Sequence, residues 1–60
     1  MKKKELKVGA LVKSQEGGSP GLVYKIMGSY FWVEWTRTGH REWFANHWET
    51  WTYISLVSSP

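Results

Sequence analysis

The sequence predicts an all-β domain in which five short strands wrap into a small, strongly bent barrel, with one short 3₁₀ turn before the last strand. Three observations point there. Glycine-rich turn signals recur at short intervals, the runs between them are rich in β-branched and aromatic residues, and the chain holds ten aromatics, five of them Trp. Sixty residues bury only about 60% of their unfolded surface and need unusual apolar bulk, cross-links or partners to hold a core. Cysteine is absent, so disulfides and thiolate metal sites are excluded and the aromatics must supply that bulk. Closing the sheet hides edges that a flat sheet of this size would leave open.

The first strand is expected over residues 10–14, with Val8 and Leu11 anchoring its start. A polar loop follows, from Gln15 through Gly17, Gly18, Ser19 and Pro20 to Gly21. Residues 22–27 and 30–36 read as strands, and the Gly28-Ser29 link between them reads as a two-residue hairpin of type I′ or II′. Alternation in the second of these strands puts Phe31, Val33 and Trp35 on the core face and Tyr30, Trp32, Glu34 and Thr36 on the wet face. Residues 40–45 read as the fourth strand. Trp43, Phe44, His47, Trp48 and Trp51 also recur at helical spacing, but so short a run makes a marginal helix. Asn46 followed three residues later by Glu49 is a capping-box pattern. The expectation is therefore a 3₁₀ turn over 46–50 and a last strand over 51–57, with Ile54 and Leu56 inward and Trp51, Tyr53 and Ser55 outward. Phe31, Trp35, Trp48 and one of Trp43 or Phe44 suffice to fill so small an interior. Which of Trp43 and Phe44 points inward depends on register, because a one-residue slip exchanges them. The chain divides into a basic tail, residues 1–5, and a single domain, residues 6–60.

Several residue runs carry a resemblance. Val8-Gly9-Ala10-Leu11-Val12-Lys13, Pro20-Gly21-Leu22-Val23-Tyr24-Lys25-Ile26, Trp32-Val33-Glu34-Trp35 and Arg41-Glu42-Trp43 together resemble the SH3-like barrels of the KOW and Tudor-like type. The resemblance spans nearly everything after Lys7. Ala10 stands where those families usually place an acidic residue. The resemblance implies the five-stranded barrel, and it implies little about role, because that fold hosts many unrelated functions. Stand-alone barrels of this size also resemble small proteins of bacteriophage genomes, which would place this one in a host cytoplasm.

Chemistry that needs several positioned groups is hard to assemble from these residues. The chain has no Asp, and its glutamates, Glu5, Glu16, Glu34, Glu42 and Glu49, fall on separate elements. A Ser29, His40, Glu42 arrangement can be drawn, but nothing in the spacing favours it. Plasmid-borne dihydrofolate reductases build a pore from four similar barrels, yet their Val-Gln-Ile-Tyr run is missing. His40 and His47 have no further imidazole or thiolate to complete a zinc site and read as turn and surface histidines. The glycine loop lacks the Gly-Lys-Ser/Thr ending of a phosphate-binding loop and opens a strand instead of a helix. No catalytic residues, metal or cofactor are expected.

The aromatics outnumber what the interior can hold. Tyr24, Tyr30, Trp32, Trp51 and Tyr53 are left for the surface, where Trp and Tyr clusters usually serve an interface. Arg37 and Arg41 flank one hairpin and Lys25 adjoins Tyr24, which allows a small mixed patch. The formal charge of +3 suggests an anionic partner at first sight. Lys2, Lys3 and Lys4 account for all of it, because beyond them five basic residues face five acidic ones. A noncatalytic module that binds protein through exposed aromatics, with self-association included, is the leading expectation. Weak, sequence-nonspecific nucleic-acid binding through the lysine tail and ring stacking is the alternative. No run approaches the roughly 20 apolar residues of a membrane span, and the lysines are not followed by an apolar signal segment, so a cytoplasmic location is expected.

Overall fold

The hairpin across Gly28 and Ser29 organises the sheet of this computed structural model, which describes residues 5–59. The strands are β1 (Leu11–Ser14), β2 (Gly21–Met27), β3 (Tyr30–Trp35), β4 (Arg41–Ala45) and β5 (Ile54–Ser58), with a one-turn helix α1 (Thr50–Tyr53) before the last. Gly28 has φ +59° while Ser29 has no positive φ, which makes the turn type II′, with glycine at its first central position. Met27 pairs with Tyr30 on either side of it.

All five strands lie in one antiparallel sheet in the order β4-β3-β2-β1-β5. β5 therefore returns to pair with β1, setting Val12 opposite Leu56 and Ser14 opposite Ile54. β4 and β5 end the sheet and are not paired with each other. β2 carries an irregularity between Val23 and Lys25: Val23 faces Val33, Lys25 already faces Trp32, and Tyr24 is the extra residue of a bulge.

The core consists of Ala10, Val12, Val23, Phe31, Val33 and Ile54, with Leu6, Trp35, Phe44, Trp51 and Leu56 packed around it. Phe31 is its centre, with its ring stacked on Phe44 at 5.6 Å and on Trp51 at 5.5 Å. Each such fully buried side chain contributes about 1.5–3 kcal/mol by leaving water. Gly21 is buried at the crossing of β2 and β3, where a Cβ would run into Val33 and come within 2.8 Å of Trp35 Cε3. Glycine is required there by space.

Four sequence expectations need correction. Trp48 is 44% exposed and lies outside the core, its ring tilted against His47 in the turn after β4. Val8 is exposed, and Leu6 packs on the core in its place. The last strand begins at Ile54, so residues 50–53 turn helically and Trp51 swings inward instead of pointing away. The Asn46 Oδ1 accepts the Trp51 indole N–H at 2.9 Å, and Glu49 at the helix start makes no side-chain cap. The Thr50, Trp51 and Thr52 N–H groups donate i to i−3 bonds to the His47, Trp48 and Glu49 carbonyls. These lead into a helix that is α-type over Thr50–Tyr53, with the Ile54 N–H donating to the Thr50 carbonyl, in place of the 3₁₀ turn expected over 46–50. The inward placement of Phe31, Val33, Ile54 and Leu56 is as expected, and Phe44, not Trp43, faces the core. Lys2, Lys3 and Lys4 of the basic tail lie outside the described residues.

Candidate aromatic interface

Strand register decides which rings meet outside the core. β3 and β4 pair Tyr30 with Ala45, Trp32 with Trp43 and Glu34 with Arg41. The Trp35 N–H donates to the His40 carbonyl and the Asn46 N–H to the Ser29 carbonyl. Alternation between these two points makes 30–45, 32–43 and 34–41 the non-hydrogen-bonded pairs, whose side chains approach most closely. All three pairs lie on the face away from Phe31 and Val33. Tyr30 meets Trp43 edge to face at 5.6 Å, and together with Trp32 they line a shallow apolar depression of about 240 Å³. Trp43 is 60% and Tyr30 48% exposed.

The β2 bulge adds the cations. By displacing the alternation it puts Tyr24 and Lys25 on the same outer side, so that Lys25 Nζ sits 4.8 Å from the centre of the Trp32 ring. One pair further along the sheet, Arg41 Nε donates to Glu34 Oε1 at 2.8 Å while its guanidinium lies 5.2 Å from the Tyr24 ring centre. The hydrogen bond to Glu34 raises the Arg41 pKa above its ordinary value. Glu34 is thus partnered, whereas Lys25 has no carboxylate partner among the described residues.

Of the residues singled out in the sequence, Tyr24, Tyr30, Trp32 and Arg41 share this face. Trp51 does not: it is part of the core, stacked on Phe31. Tyr53 is 70% exposed but belongs to α1, outside the β2–β3–β4 face. Arg37 lines a second depression, of about 360 Å³, between the glycine loop and the β3–β4 turn, together with Ser14, Trp35, Thr38 and Glu42. There the Trp35 indole N–H donates to Glu42 Oε1 at 2.7 Å. Glu34 lies on the wet face as expected, and Trp43 and Lys25 join the face without having been singled out as binding residues. Trp43 was legible as one of two register choices, but Lys25 depends on a bulge that no glycine or proline announces.

Among the described residues no cluster of His, Cys, Asp and Glu is grouped to hold a metal, and no helix is long and apolar enough to cross a membrane. No protein-family model, curated protein or solved structure matches this chain.

Proposed function

We propose that this chain is a noncatalytic binding module that engages protein through the outer face of β3 and β4. The observation that carries this reading is the gathering of Tyr30, Trp32 and Trp43 into one exposed apolar depression, where none of the three is needed to fill the core. Exposed Trp and Tyr offer large, stiff contact area at low entropic cost, which is why they dominate interface energetics. The fold assigned to it is the SH3-like barrel of the KOW or Tudor-like type. The return of β5 to β1 and the glycine-rich first loop support that assignment.

Panning a ribosome-displayed library of random peptides against the immobilised chain tests the reading. Peptides rich in apolar side chains should be selected, and Tyr30→Ala and Trp43→Ala should each release them while keeping the wild-type melting temperature. Binding that survives both substitutions, or no selection at all, rejects it. One observation favours nucleic acid as the second reading: the Lys25 ammonium beside Trp32 combines a cation with a ring on which a base can stack. The charge balance of the folded part weighs against it.

A further inference from the structure

The outer edge of β4 is open. Because 30–45, 32–43 and 34–41 are the non-hydrogen-bonded pairs with β3, the backbone N–H and C=O groups of Arg41, Trp43 and Ala45 point away from the sheet. Of these, the Ala45 carbonyl accepts the His47 N–H at 2.9 Å. β4 ends the sheet, so among the described residues no strand covers the others. Edge strands are normally guarded by lysine, proline or a bulge. The Trp43-Phe44-Ala45 half of β4 has none of these, and its register with β3 is regular throughout. At the opposite end of the sheet, the β1–β5 ladder does carry a register shift.

We propose that a second copy of this chain pairs with the β4 edge, antiparallel about a two-fold axis through Trp43, to join two sheets into one. Only one two-fold register engages all five residues of β4: it sets Arg41 opposite Ala45 of the second copy, Glu42 opposite Phe44, and Trp43 opposite its own counterpart. No like charges face each other in it, whereas the register shifted to centre on Glu42 would oppose two carboxylates. The outward N–H and C=O groups fall in the hydrogen-bonded pairs of this register, so each would gain a partner. The two Trp43 rings meet on the outer face and join the two aromatic depressions. This extends the proposed assembly role from the ring face to the strand edge and rests on it, and the two surfaces separate by mutation.

Sedimentation equilibrium of the full chain over a range of concentrations should show a monomer–dimer equilibrium. Ala45→Pro removes an outward N–H that β3 does not use, two hydrogen bonds per dimer by symmetry, and should weaken dimerisation by at least about tenfold with an unchanged far-ultraviolet dichroism spectrum. Since the chain has no cysteine, Trp43→Cys places a single thiol on the proposed axis. Under oxidising conditions it should give a disulfide-linked dimer, while Leu22→Cys on β2 should not. A wild-type chain that stays monomeric, a dimer indifferent to Ala45→Pro, or a folded Trp43→Cys that cross-links no better than Leu22→Cys overturns the edge pairing. If Tyr30→Ala loses its peptides but still dimerises, face and edge are independent and the edge pairing stands. If Tyr30→Ala dissociates the dimer as Ala45→Pro does, the face holds the copies together and the edge proposal falls.

Discussion

The Trp51 ring lies nearly parallel to Phe31, 11° between planes and 5.5 Å between centroids, and donates its indole N–H to Asn46 Oδ1. One side chain thus ties α1, the turn after β4 and the centre of the sheet together. Trp51→Ala should cost about 3 kcal/mol, read as a lowered urea midpoint. Trp51→Phe keeps the stack and loses the polar tie, so it should cost about 1 kcal/mol. Equal losses in the two variants would show that the stack contributes nothing.

Gly21→Ala tests the crowding between β2 and β3. The added methyl meets Val33 and Trp35, both held in the sheet, and overpacking of this kind should destabilise by about 1–3 kcal/mol. The melting temperature measures it, and a variant as stable as wild type would mean that Trp35 yields freely.

Trp48 and Trp43 should behave as surface residues despite their size. Each alanine substitution is expected to change unfolding free energy by less than about 1 kcal/mol in urea titration, because neither ring belongs to the core cluster. Only Trp43→Ala should also reduce peptide binding. A large stability loss at Trp48 would return that ring to the interior.

Salt separates the two functional readings. Apolar contact through Tyr30, Trp32 and Trp43 should survive between 50 and 200 mM salt with a change of less than about threefold, whereas phosphate neutralisation on a single strand by the three tail lysines would cost about twentyfold. Fluorescence anisotropy with a labelled selected peptide and with oligothymidylate, for the full chain and for one lacking residues 1–4, supplies both curves. Steep salt-dependent oligothymidylate binding that weakens on that deletion would favour the nucleic-acid reading.

Strand positions and the all-β class were legible because turn chemistry and period-two alternation are local signals. Phe31 and Val33 fell inside, and Tyr30 and Trp32 outside, by alternation alone. Trp51 was misplaced for the opposite reason. Its side depends on where the helical turn ends, and Ile54 begins the strand three residues later than the Trp51 start expected from the sequence. Trp48 was misjudged because a large apolar ring near the chain's aromatic cluster reads as core whether or not space remains for it. The choice between Trp43 and Phe44 needed the β3–β4 register, and the position of Lys25 needed the bulge, both of which are set by pairing across strands.

That bulge also fixes how β2 can change in length. Residue 24 is the single supernumerary position between Gly21 and Tyr30, and it lets Val23 and Ile26 face the same side as Phe31 although they are an odd number of residues apart. Deleting Tyr24 while keeping the hairpin pairing would close the bulge and leave strict alternation with the other pairs unchanged: Val23 stays inward opposite Val33, and only the ring beside Arg41 is lost. A single deletion at the bulge therefore keeps the same residues dry, whereas deleting Val23 would bring Leu22 or Tyr24 into its inward place.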